Sequence, residues 1–346
     1  MIKILILRLL RAIPLLLVVI GIVFLLYRFL PGDEVEATYV LPQKMSGPDS
    51  SEYHRLYKIY AHELGLDKPV FFFTLSSKKG FQWTGFDNQY VAKVKKFFQG
   101  DFGISYRTRQ PVSSALLDAL RWTLVINGPA LLLIFIPGIW LGMKSARLYG
   151  GRTDRIIMQI SFLLDAIPTF WLATLAVVFL TTSYYGLKLF PSTGLGEAPY
   201  GSGFGFKLIY AVPHLILPII CIVLGSISIV IRQMRSAALE VNKQDYIRTA
   251  RSKGLDEKQV FKRHIFPNAI FPMITLAGNA FPDLIAGAFL IENIFNIPGM
   301  GKLTVESIAS RDFPVLFAVI VVTAVFTIAG NIAAELSYRY LDPRIS

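Results

Sequence analysis

Two carboxylates, Asp165 and Asp283, stand inside long apolar runs. Acidic side chains there are costly and face a protein interior or water. At such positions a carboxylate could hold a coupling ion or the amino group of a passing solute; pairing with a neighbouring helix is the structural alternative. The remaining reactive residue types do not assemble by spacing. His54, His62, His214 and His264 are scattered, without the intervals of a metal site or a catalytic triad. His214, next to Pro213 at the start of an apolar run, reads as structural or path-lining. The pair Gly301-Lys302 is followed by Leu303, so the phosphate-cradling G-x-x-x-x-G-K-[ST] pattern is absent from the sequence. Cys221, the single cysteine, lies in an apolar run and supports neither a disulfide nor a thiolate metal site. The expectation is a chain with no catalytic residues, no metal and no cofactor of its own.

A polar stretch, QDYIRTARSKGLDEKQVFKRHIFPNA (Gln244–Ala269), interrupts the apolar runs. Asp245 can cap a short helix that exposes Tyr246, Ile247 and Ala250 on one side, with Arg248, Arg251 and Lys253 elsewhere. Gly254 supplies a left-handed residue to end it. Asp256 then caps a second helix with Gln259 at the box position, and Leu255 and Val260 are spaced for a hydrophobic staple. Phe261 and Ile265 form its apolar stripe, and Pro267 leads out. The expected object is a knuckle whose exposed apolar tip suits a groove in a partner. A solvated basic loop is the plainer alternative. A DNA-reading helix-turn-helix has similar outlines, but apolar runs tether this one at both ends, so nucleic acid is not an expected partner.

The elements that hold these residues are apolar helices. The chain of 346 residues is 53% hydrophobic and only 17% charged, below the roughly 25% of soluble domains. Six windows are long enough to cross a hydrocarbon core of about 30 Å: Ile13–Leu30, Trp122–Met143, Ile156–Thr182, Leu208–Ile231, Ile270–Ile291 and Pro314–Leu336. The net charge of +12 reflects topology. With the N-terminus inside, inner segments hold eighteen Lys and Arg, and the two short outer loops hold four. That asymmetry orients the chain N-in, C-in. The fold class expected is therefore an all-α integral membrane protein of six transmembrane helices, with lipid as its surroundings.

Segment 1–30 is the N-terminus and first span, and 31–119 an extracytoplasmic, α-rich cap. There Asp49 and Glu52 are spaced as a capping box, Tyr53 to Leu64 recur at helical spacing, and Gly65 closes the run. A second amphipathic piece runs from Tyr90 to Phe98 and stops at Gly100; between them SSKKGFQWTGFDN reads as turns. Residues 120–346 form the remaining core of five helices, with the polar loop at 232–269. Prolines 129, 137, 168, 213, 218, 272 and 282 fall within spans, where neighbouring helices or water can re-satisfy freed carbonyls. Gly138 and Gly142 are spaced for close helix approach.

The polar stretch resembles the EAA loop of permease subunits of binding-protein-dependent ABC importers. Thr249, Ala250 and Gly254 fall on the first part of that motif, and Phe266 and Pro267 on its last. Arg248 replaces the motif's Glu, as in the peptide/nickel branch with its DYxRTARxKG. Further segments are similar to the first permease of dipeptide/oligopeptide/nickel importers: LPGD (Leu30–Asp33), LGLDKP (Leu64–Pro69), GDFGISYRTRQPV (Gly100–Val112), IPTFW (Ile167–Trp171), ENIFNIPGMG (Glu292–Gly301), RDFP (Arg311–Pro314) and LDPRI (Leu341–Ile345). The departures are an outer loop lengthened around Leu75–Lys96, and the two intraspan aspartates. The resemblance implies an inner (plasma) membrane protein paired with a homologous second permease. It also implies cytoplasmic ATP-binding subunits docked on Tyr246–Pro267, an extracytoplasmic solute-binding protein, and di- or oligopeptides as the solute. An ion-coupled secondary transporter working through Asp283 and Asp165 is the alternative.

Overall fold

The computed structural model describes residues 2–29, 35, 49–76, 80–184, 186–280, 282, 284 and 287–341. LPGD from Leu30, Asp283, and LDPRI from Asp342 onward lie outside the described residues. In chain order the elements are α1 (Ile2–Phe29), α2 (Asp49–Glu63), β1 (Phe73–Ser76), β2 (Gly80–Trp83), α3 (Gln89–Phe98), α4 (Val112–Arg147), α5 (Arg152–Ala166) and α6 (Thr169–Thr181). Then follow α7 (Phe204–Asn242), α8 (Asp245–Ser252), α9 (Glu257–Val260), a π turn (Phe261–Ile265), α10 (Phe266–Ala269), α11 (Phe271–Ala280), α12 (Phe289–Ile294), α13 (Met300–Ala309) and α14 (Phe313–Leu341).

Val112–Arg147, Phe204–Asn242 and Phe313–Ala333 are each long and apolar enough to cross a membrane. The expected span Ile156–Thr182 is instead two helices, α5 and α6, bent by 89°. Pro168 causes the break. It disfavours helix at Ile167, whose φ of −95° and ψ of 117° are extended. The window Ile270–Ile291 holds α11, and its continuation includes undescribed positions. In α1 the apolar stretch is Leu10–Leu26.

The chain forms two compact units, Met1–Leu117 with Glu306–Val325, and Asp118–Val305 with Phe326–Ser346. In the first, Ile20 and Phe24 of α1 pack with Tyr90 of α3 and Phe317 and Val321 of α14. The Tyr90 hydroxyl donates to Leu17 O at 2.7 Å. Asn88 caps α3 by accepting from Val91 N at 2.9 Å. Asp312, 2% exposed, accepts from the Ser105 hydroxyl and from the N–H groups of Tyr106 (3.1 Å) and Arg107 (3.3 Å). Beside it Arg107 and Glu306 pair at 2.7 Å. The GDFGISYRTRQPV and RDFP segments thus meet at one carboxylate.

SSKKGFQWTGFDN is more than turns. Strands β1 and β2 pair antiparallel, with Phe73 opposite Trp83 and Leu75 opposite Phe81. The described residues therefore include a hairpin among the helices. Its apolar positions alternate with Thr74, Ser76, Gly80 and Gln82, which is strand period. Rings of Phe73 and Phe81 stack at 4.4 Å, and Phe73 meets Trp83 at 4.7 Å.

The second unit is built on α7. A Cβ at Gly138 would lie 2.8 Å from Val230 Cγ1, and one at Gly142 2.7 Å from the backbone oxygen of Ile231. The G-x-x-x-G pair therefore lets α4 lie directly on α7. Gly225 does the same for α6, since an added Cβ would overlap the Thr169 hydroxyl. Between α4 and α5, buried Asp154 takes a forked pair of bonds from Arg235 (2.8 and 2.9 Å), with the Ser145 hydroxyl and Gly150 N as further donors.

Candidate functional site

The loop between α7 and α11 is a helical knuckle, as its punctuation requires. Helix α8 ends at Gly254, whose φ of +79° is left-handed, and the Gly254 N–H donates to Arg251 O at 2.9 Å. Gln244 occupies the N-cap position expected for Asp245, which begins the helix instead. Asp256 stands at the N-cap of α9 in extended backbone, without a side-chain cap bond. Arg251 clips the assembly together. Its Nε donates to Glu257 at 2.6 Å and its Nη2 to Asn242 of α7 at 2.7 Å. The π turn precedes Pro267, which has no N–H and whose ring would clash with the carbonyl four residues back. Widening the turn at Arg263, that fourth residue, makes room for the ring.

The apolar faces of the knuckle point the other way from expectation. Ile247, Val260 and Ile265 are each fully buried, and Ala250 and Phe261 nearly so. Ile247, Val260, Phe261 and Ile265 pack with Ile134, Ala146, Val230, Met234 and Ala238 of α4 and α7, with Leu255 partly buried against the same cluster. Periodicity identified the stripe correctly, but the chain's own helices cover it. The surface left outward carries Tyr246, Arg248, Thr249, Lys253, Gly254 and Pro267. A partner would meet a mostly polar, basic face with the exposed rings of Tyr246 and Phe266.

Asp165 is not a lone carboxylate. It ends α5 just before the bend and accepts from Arg232 Nη2 at 3.0 Å and the Ser228 hydroxyl at 3.2 Å. The pair is partly open to its surroundings, and the Arg232 guanidinium stacks 5.5 Å from the Phe162 ring. His214 Nδ1 lies 2.8 Å from Ser192 O, and a Cβ at Gly196 would sit 3.1 Å from its Nε2. This places it as a peg for the 192–196 loop. Asp283 lies outside the described residues, although its neighbour Leu284 lines a cavity of about 650 Å³. Asn127, Ser226 and Asn279 are the polar side chains in that cavity wall, and the rest is aliphatic or Phe135. Its described lining holds no charge.

A further buried acid, like Asp154 and Asp312 above, stands outside the candidates taken from spacing. Glu292, 0% exposed, accepts from Thr123 Oγ1 (2.8 Å) and Lys302 N (3.1 Å). Thr123 Oγ1 also accepts from Met300 N at 2.8 Å. A Cβ at Gly287 would come 2.7 Å from Glu292 Oε1, and one at Gly299 would overlap the carboxylate. Its trace in the sequence is ENIFNIPGMG, where Gly299 makes space for the acid at its head.

Residues 138–346 match the family described as the inner membrane component of binding-protein-dependent transport systems. The chain is 33% identical to the oligopeptide transport system permease protein AppB of Bacillus subtilis (strain 168), over 98% of this chain and 97% of that one. It is 30% identical to the dipeptide transport system permease protein DppB of Lactococcus lactis subsp. cremoris (strain MG1363), covering 95% and 94%. Identity to the probable D,D-dipeptide transport system permease protein DdpB of Escherichia coli (strain K12) is 33%, covering 96% and 94%. With this near-complete coverage and the apolar helices above, the chain belongs to the binding-protein-dependent transport family as an inner-membrane permease subunit of peptide ABC importers.

Proposed function

We propose that this chain forms half of a translocation pathway for di- or oligopeptides, with six spans oriented N-in and C-in and residues 31–119 on the outer side. A homologous second permease supplies the other half, an extracytoplasmic binding protein delivers the peptide, and ATP-binding subunits in the cytoplasm dock on the knuckle Gln244–Ala269. The observation that carries this reading is the anchoring of the knuckle. A loop clipped by Arg251 and rooted through Ile247, Val260 and Ile265 in α4 and α7 can pass a push from a cytoplasmic subunit to spanning helices. The uncharged wall at Asn127, Ser226 and Asn279 suits a solute whose amides exchange hydrogen bonds and whose side chains vary. Asp283, one residue from that wall in sequence, is proposed to meet the peptide's amino group. Ion coupling through Asp165 is not carried forward, because Arg232 already occupies that carboxylate.

The test is peptide uptake by proteoliposomes holding the whole complex. Uptake is expected to need ATP on the knuckle side and binding protein on the other. Uptake driven by an ion gradient without ATP overturns the proposal.

A further inference from the structure

A groove of about 550 Å³ runs beside the knuckle, separate from the cavity described above. Ile136, Ile139, Trp140 and Met143 of α4 form one wall, and Phe261 and Phe266 another. Lys144, Arg147, Lys258 and Lys262 stand around it, and no carboxylate lines it among the described residues. Ile136 is 67% and Trp140 60% exposed, and the Lys144 ammonium sits 5.0 Å from the Trp140 ring centroid.

We propose that this groove binds an anionic glycerophospholipid, its phosphate among the four cations and an acyl chain along Ile136, Ile139 and Trp140. The reasoning is one of depth and charge. The apolar wall belongs to a helix long enough to cross the membrane, and its exposed side chains lie just before the basic last turn. On a helix that crosses a membrane, such side chains on the apolar side of the basic turn are at the depth of lipid tails. The cations, grouped where the helix leaves its apolar stretch, match a headgroup carrying net negative charge. Placing the lipid in the inner leaflet rests on the orientation proposed above; binding itself does not.

The test uses the purified complete complex, delipidated and titrated with phosphatidylglycerol or phosphatidylcholine of identical acyl chains, read by native mass spectrometry. Each interfacial cation is worth about five-fold in affinity. The double variant Lys144→Gln/Arg147→Gln is therefore expected to bind phosphatidylglycerol about thirty-fold more weakly, with phosphatidylcholine unchanged. Should that variant not assemble, Trp140 reports on the native protein. Brominated phosphatidylglycerol is expected to quench the fluorescence that Trp140→Phe removes. Equal affinity for the two lipids, or an unaltered double variant, overturns the proposal. So does competition by soluble glycerol phosphate, which marks a free-anion site, or a Trp140 that no brominated lipid reaches, which marks a groove filled by the second permease. ATP-driven uptake by the same samples reports separately on the transport function.

Discussion

Ile247→Ala and Gly254→Val perturb the same knuckle by different physics, and their ranking tests how it works. Ile247 is fully buried against α4 and α7. Truncating a buried Ile to Ala removes transfer energy and leaves a cavity, together about 2–5 kcal/mol. At Gly254 nothing lies within 4 Å of an added Cβ, so the β carbon itself meets no steric neighbour. Its cost is backbone strain at φ +79°, on the order of 1–2 kcal/mol. The midpoints differ by about 2 kcal/mol, or nearly thirty-fold in the ratio of seated to unseated knuckle. Both variants are expected to lower the peptide imported per ATP hydrolysed, and Ile247→Ala to lower it more. The assay is paired measurement of ATP hydrolysis and labelled-peptide uptake in proteoliposomes, with yield of the assembled complex as control. If Ile247→Ala couples like the parent while Gly254→Val fails, anchorage is irrelevant and the corner itself makes the essential contact.

Asp154→Asn should lower the thermal midpoint and the yield of folded protein. Breaking a buried pair costs about 3–5 kcal/mol, and the partial exposure of Arg235 brings that to about 2–4 here; an unaltered melt would show the fork to be dispensable. Glu292→Gln presents an amide where Thr123 and the Lys302 N–H donate, for a loss of about 1–3 kcal/mol. Faster proteolysis of the 287–301 loop is the readout, and parental resistance would refute the clasp. Asp165→Asn should change stability by less than about 1 kcal/mol, because its ion pair is partly exposed, and ATP-driven uptake should persist; its loss would restore Asp165 to the solute path.

The knuckle was legible because its signals are local: Gly254 in left-handed backbone, Asp256 before a helix, and an apolar stripe at 3.6 spacing. Which way the stripe faces was not, since that depends on α4, more than a hundred residues earlier. The bend at Pro168 had a local signal, read at sequence level as tolerance of proline within a span. The hairpin's alternation was present too, in strands only four residues long. The partners of the carboxylate clasps were not legible. Glu292 meets Thr123 across 169 residues and Asp312 meets Ser105 across 207, and no period in a single sequence reports such pairs.

The Asp312 contact also bears on how the protein is made. Ser105 and its neighbours leave the ribosome 207 residues before the carboxylate that binds them. At roughly 5–20 residues per second the delay is about 10–40 s. Throughout that interval the Tyr106 and Arg107 amides wait for the carboxylate that accepts from them in the finished fold. The contact forms only once Asp312, at the entry to α14, has emerged, so its closure reports that the second sequence segment of the first unit has begun to join the first.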